Sequence, residues 1–101
     1  MTEHDPLDEL DTHSRLNYET AEIPWTELQM SFAQGRVIYV GKSLDLVDVA
    51  VQISNDNKAL IEPWMATGQI KHVTDEQAKL WVSANTTVWA VVVKPWVLVQ
   101  E

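Results

Sequence analysis

His72 is the only histidine in the part of the chain that reads as folded, and histidine is the side chain best suited to move protons near neutral pH. It stands among Lys71, Val73 and Thr74, with Asp75 and Glu76 next in sequence. Earlier in the chain, Gly41-Lys42-Ser43 resembles the end of a phosphate-binding loop, in which backbone amides cradle phosphates and the lysine reaches them. The full motif needs a glycine five residues before Gly41; Arg36 stands there, and Gly35 is one place off. The run of amides that wraps the phosphates is therefore missing. What remains is a strand-to-helix turn with Ser43 as helix cap, a place where free helix amides still attract small anions. Asp45 and Asp48 fall at i, i+3 on one face of that helix. Paired carboxylates of this kind hold magnesium or run acid–base chemistry, and they equally serve as the solvent stripe of an otherwise apolar helix. Lys42, Ser43, Asp45, Asp48 and His72 form one candidate small-ligand set, without an assignable catalytic residue.

His4, Asp5, Asp8, Asp11 and His13 are also metal-ligand types, but a zinc site needs ligands held in a fixed shell. Their stretch offers only Met1, Leu7 and Leu10 as large apolar anchors, so a solvated acidic tail is expected over residues 1–13. The chain has no cysteine, which removes thiolate nucleophiles, thiolate metal sites and disulfides. No HExxH pair, EF-hand loop or dinucleotide glycine fingerprint occurs, and neither a cofactor nor a metal is expected.

The compositional anomaly is five tryptophans: Trp25, Trp64, Trp81, Trp89 and Trp96. Each buries about 150–250 Å² when covered, more than a core of this size easily provides for all five. Trp89 and Trp96 lie on a β segment beside Pro95, where a sheet edge is expected, and tryptophan is enriched at interface hot spots. With Val49 and Ile53 of the apolar segment before them, Trp89, Pro95 and Trp96 form the candidate partner-binding set. Stacking on single-stranded nucleic acid also uses aromatic rings, but it needs a basic groove. Fifteen Asp and Glu against seven Lys and Arg give a net charge of −8, which argues against nucleic acid and anionic membranes alike.

These residues must be held by one small domain, since 101 residues bury only about 60–65% of their unfolded surface. No apolar stretch approaches the roughly 20 residues of a membrane span, and the acidic start lacks a signal peptide, so a soluble cytoplasmic domain over 14–101 is expected. Ser14 starts a helix carrying Leu16, Tyr18, Thr20 and Ile23, and Pro24 opens a second with Trp25, Leu28 and Phe32 on one face before Gly35. Arg36 to Val40 reads as a strand, and Leu44 to Ser54 as a buried helix, although its valines also alternate as in a strand. Lys58 to Thr67 reads as a helix with Leu60, Ile61, Trp64 and Met65 inward, kinked or divided at Pro63. Gln69 to Val73 reads as a short strand. Thr74-Asp75-Glu76-Gln77 is a capping box opening a helix that turns Ala78, Trp81 and Val82 inward and ends near Asn85. From Thr86 on the chain is β, with two pieces joined by a bend at Lys94-Pro95, because two-residue hairpins want positive φ. The sum is an α/β (α+β) single domain, a three- or four-stranded sheet packed with about five helices.

Four stretches are similar to a small bacterial protein family of unknown function, domain of unknown function family 2288. They are Ile23-Pro-Trp-Thr-Glu-Leu-Gln29, Leu44-Asp-Leu-Val-Asp-Val-Ala50, Thr74-Asp-Glu-Gln-Ala-Lys-Leu-Trp81 and Trp89-Ala-Val-Val-Val-Lys-Pro-Trp-Val-Leu-Val-Gln-Glu101. The likeness spans about Leu16 to Glu101 and implies no activity, cofactor or catalytic residue; Pro63 departs from the helix former usual there. The reading is a non-enzymatic domain that self-associates, most simply as a homo-oligomeric dimer, or binds a protein partner. The alternative is a small enzyme or small-anion binder using Lys42, His72 and the Asp45/Asp48 pair.

Overall fold

Local chemistry sets most element ends in the computed structural model, which describes residues 12–101. α1 (Thr12–Glu19) stops where the Thr20 hydroxyl donates back to the Leu16 carbonyl at 2.7 Å. β1 (Ala21–Pro24) follows, then a 3₁₀ turn (Trp25–Leu28) that runs into α2 (Gln29–Ala33). Gly35, left-handed at φ +72°, closes that helix by donating its N–H to the Phe32 carbonyl. β2 (Val37–Val40) leads to α3 (Leu46–Ser54). Left-handed Asp56 precedes α4 (Lys58–Ala66), and left-handed Gly68 follows it. After β3 (Ile70–His72), α5 (Asp75–Ser83) begins at Thr74, whose hydroxyl accepts from the Gln77 amide at 3.1 Å. Left-handed Asn85 ends it, and β4 (Thr87–Val93) and β5 (Trp96–Gln100) complete the chain.

The sheet has five strands in the order β1-β4-β5-β2-β3, not three or four. The extra strand is β1, expected as the end of the first helix. Ala21 to Pro24 pair antiparallel with Ala90 to Thr87, and the Trp25 amide donates to the Thr86 carbonyl at 2.9 Å. Four residues show no strand period by themselves; a partner more than sixty residues away supplies the hydrogen bonds. The bend expected at Lys94-Pro95 is a two-residue hairpin instead, with Val93 opposite Trp96. The Lys94–Pro95 peptide bond is cis, which reverses the chain without positive φ. β5 also pairs in parallel with β2, so the C-terminal strands are central and the edges fall to β1 and β3.

Three helix expectations need correction. Asp45, not Ser43, caps α3, accepting from the Asp48 amide at 3.0 Å. α4 passes through Pro63 undivided; Ala59, whose carbonyl the missing N–H would have met, is exposed. None of α4's residues is buried, and Leu60 and Met65 are exposed rather than inward; on α5, Val82 is exposed as well. The tail expected over 1–13 lies outside the described residues except for Thr12 and His13, which form the first turn of α1.

Strand alternation divides the core between the two sheet faces. On one face Val88, Ala90, Val97, Val99 and Val37 pack with Trp25 and Leu28 of the 3₁₀ turn and Ala78 and Trp81 of α5. On the other, Val91, Leu98, Val40 and Ile70 pack with Leu16 of α1 and Leu46, Val47, Val49 and Ala50 of α3. Each fully buried valine or leucine there contributes roughly 1.5–3 kcal/mol. The second face matters here, because α4 covers only part of it.

Candidate functional site

The small-ligand set is not brought together. His72 pairs with Ile38, four residues before Lys42 along β2, a separation of about 13 Å at roughly 3.3 Å per residue. Lys42 and Ser43 lie exposed in the loop before α3, while Asp45 caps that helix. Asp48 is exposed with its carboxylate 3.2 Å from His13 Nε2. Gly41 has a structural reason of its own: its amide donates to the Gln69 carbonyl at 2.8 Å, and a Cβ would come within 3.2 Å of that oxygen. Gln100 fixes the loop, its Nε2 donating to the carbonyls of Gly41 at 3.0 Å and Leu44 at 2.8 Å. The loop is thus a packed joint between β2 and α3. Among the described residues no three His, Asp or Glu gather closely enough to hold a metal ion.

The partner-binding set divides. Val49 is 0% exposed in the core beneath α3 and cannot meet a partner. Trp89 is 46% exposed but stands at the far end of the sheet, opposite Gln100 and beside Asn17, Thr20 and Asp45. Trp96 and Ile53, however, meet at the end of the sheet next to the cis-proline turn. There they join Ile38, Ile61, Met65 and Ile70 in lining an apolar groove of about 270 Å³. Asp56, His72 and Lys94 are the polar residues beside it, and Lys71 lines it between Ile70 and His72 while its side chain, paired across from Tyr39, alternates to the other sheet face. Pro95 is exposed in the turn immediately before Trp96.

Every part of the groove has a simple origin. Trp96 is the first residue of β5 and shares a sheet face with Leu98, two residues on. His72 is the last residue of β3 and shares that face through its partner Ile38; its ring stands edge-on to Trp96 with centroids 6.1 Å apart. Ile53 comes from the last turn of α3, and Ile61 and Met65 from α4. Asn57 Nδ2 donates to Gln52 Oε1 at 2.8 Å, tying the start of α4 to α3. The rest of α4 lies open, with Met65 56% exposed and Trp64 only half-buried. Sequence reasoning placed Ile61 and Met65 in the core and did not set Lys94 beside them; a turn residue carries no period that could have shown it.

The remaining tryptophans are core. Trp25 and Trp81 cross edge-to-face with centroids 4.8 Å apart, and Phe32 lies 5.6 Å from Trp25. Both indole N–H groups are buried without a protein acceptor. Nearby, the Tyr39 hydroxyl donates to Glu101 Oε1 at 3.0 Å. Burial raises the Tyr39 pKa, and the bond to Glu101 and its negative charge raise it further.

Among the described residues no helix is long and apolar enough to cross a membrane. No curated protein matches the chain. The fold matches the NMR solution structure of PA1075 from Pseudomonas aeruginosa with a TM-score of 0.79 and 37% sequence identity, covering 98% of this chain and 93% of that one. The model of one sequence family spans residues 11–101, all of the described fold, groove and hairpin included, and the chain therefore belongs to the family described as Protein of unknown function (DUF2288).

Proposed function

We propose that the chain is a non-enzymatic binding domain of the cytoplasm whose contact surface is the groove between α4 and the sheet end formed by β3 and Trp96. One observation carries the reading: α4 presents Leu60, Ile61, Trp64 and Met65, yet none of its residues is buried, and it partly roofs an apolar cavity. An apolar helix left uncovered beside a groove is where a small domain has contact energy to spare. The rival catalytic set has less behind it, since Lys42 lies beyond the end of β2 while His72 pairs with Ile38, about 13 Å back along the strand at roughly 3.3 Å per residue.

The test is a titration of full-length protein with the neutral dye Nile red, with amide chemical shifts recorded in parallel. The expected outcome is saturable binding that shifts Ile53, Ile61, Ile70, His72 and Trp96. Binding elsewhere, or none, would overturn the reading. Self-association, most simply a twofold dimer, is a second reading, favoured by the exposure of Leu60 and Met65 on α4. A sedimentation run at about 100 μM checks it, because an interface weaker than that would barely bind.

A further inference from the structure

A second hollow lies at the opposite end of the sheet from the groove. Strand alternation puts Trp89 and Gln100 on the sheet face of Val91 and Leu98, the face that α1 and α3 cover, and the two stand directly across from each other. Trp89 belongs to neither core cluster. Its ring is left 46% exposed in a hollow of about 290 Å³, walled by Asn17 and Thr20 from the end of α1 and by Asp45 and Leu46 from the start of α3.

The hydrogen-bond inventory of this hollow says what it can hold. Thr20 Oγ1 already donates to the Leu16 carbonyl at 2.7 Å, and Gln100 Nε2 donates to the carbonyls of Gly41 and Leu44. The Thr20 oxygen and Gln100 Oε1 are thereby left as acceptors. They are joined by the second oxygen of Asp45, whose Oδ1 caps the Asp48 amide. Donors are present too: the first amides of α3, at Leu46 and Val47, have no acceptor within the helix, and the Asn17 side-chain amide both donates and accepts. Acceptors and donors therefore stand side by side around an aromatic face.

We infer that this hollow takes one ring of a neutral sugar, stacked on Trp89 with its hydroxyls at Asn17, Asp45 and Gln100. A hydroxyl donates and accepts at once, which such a mixed lining requires. Charge argues against both kinds of ion. The Asp45 carboxylate and the −8 of the chain oppose an anion, and the positive end of the α3 dipole opposes a cation. The C–H groups of a sugar ring, slightly positive, meet the electron-rich face of the indole. About 290 Å³ equals about ten water volumes at roughly 30 Å³ each, room for a single ring. This site is separate from the groove, and neither reading depends on the other.

The experiment titrates the full chain with methyl glucoside, methyl galactoside and methyl mannoside, reading backbone amide and indole N–H shifts. Glycerol, butylammonium and butyrate are the comparison ligands. At least one glycoside is expected to bind saturably with a Kd on the order of 1 mM, the scale for a ligand this small, moving Asn17, Thr20, Gln100 and the Trp89 indole. Trp89→Ala should weaken that binding about tenfold or more, whereas Trp89→Phe, which keeps an aromatic face, should hold it within about threefold. Trp89 lies outside the core, so both variants should keep the wild-type fold, which their spectra check. Glycerol, with hydroxyls but no ring, should not saturate the site. No saturable glycoside, shifts confined to other residues, or unchanged affinity in Trp89→Ala would each overturn the assignment. Tighter binding of butylammonium or of butyrate at these residues would overturn the neutral ligand in favour of an ion.

Discussion

Trp96→Ala separates the possible roles of this residue. A fully covered tryptophan removes about 150–250 Å² from water. Trp96 is only partly buried at the groove floor, so truncation loses on the order of 100 Å² of buried apolar surface, or about 2.5 kcal/mol at about 25 cal/mol/Å². The edge contact with exposed His72 adds little, and the space left behind opens into the groove, so almost no cavity term applies. Stability should therefore fall by about 2–3 kcal/mol. Trp25→Ala is the internal reference: Trp25 is 1% exposed between Trp81 and Phe32, and its loss should sit at the upper end of the roughly 3–5 kcal/mol range for core aromatics. Urea unfolding followed by far-UV circular dichroism measures both without relying on tryptophan fluorescence, and a loss of 2–3 kcal/mol moves the midpoint by about 1–2 M. A Trp96→Ala loss below about 1 kcal/mol would mean that the groove floor is not buried by this ring. A loss equal to that of Trp25→Ala would mean that Trp96 is core and the groove is not open.

Three further outcomes follow from particular contacts. Asp45→Ala should cost about 1 kcal/mol by removing the cap on the Asp48 amide, while Ser43→Ala should cost almost nothing; equal losses in thermal or urea unfolding would return the cap to Ser43. In a Tyr18→Phe background, which leaves Tyr39 as the only tyrosine, absorbance at the phenolate band should place Tyr39 above the ordinary value of 10.0, and Glu101→Gln should lower it only in part, because burial is the larger cause. A pKa raised in the folded state stabilises below the unfolded value, so this contribution is lost as pH rises through the folded value; a Tyr39 titrating below 10.0 would refute the contact. Titration with single- and double-stranded oligonucleotides at moderate salt should show no saturable binding below about 100 μM, and a micromolar isotherm would contradict the charge argument.

What the sequence determined by itself is what depends on neighbours a few residues apart. The Thr74–Gln77 cap and the left-handed ends at Gly35 and Asn85 rest on i to i+4 chemistry, whereas the helix expected over Leu44 to Ser54, whose valines also alternate as in a strand, needed the fold to decide it. The net charge of −8 and the absence of cysteine needed no fold at all. The tertiary structure decided what depends on partners far along the chain. Ala21 is a strand residue because Ala90 lies opposite it, and the C-terminal strands are central because β2 pairs with β5. It also sorted five similar tryptophans into two core residues, two half-buried ones and one exposed at the far sheet end. The groove belongs to the same class. Ile53, Ile61, His72 and Trp96 come from four elements, and only the sheet order and the cis-proline turn bring them to one place. Side-chain type sets what such residues can bind, but which of them meet is fixed by long-range pairing, which leaves no local period to read.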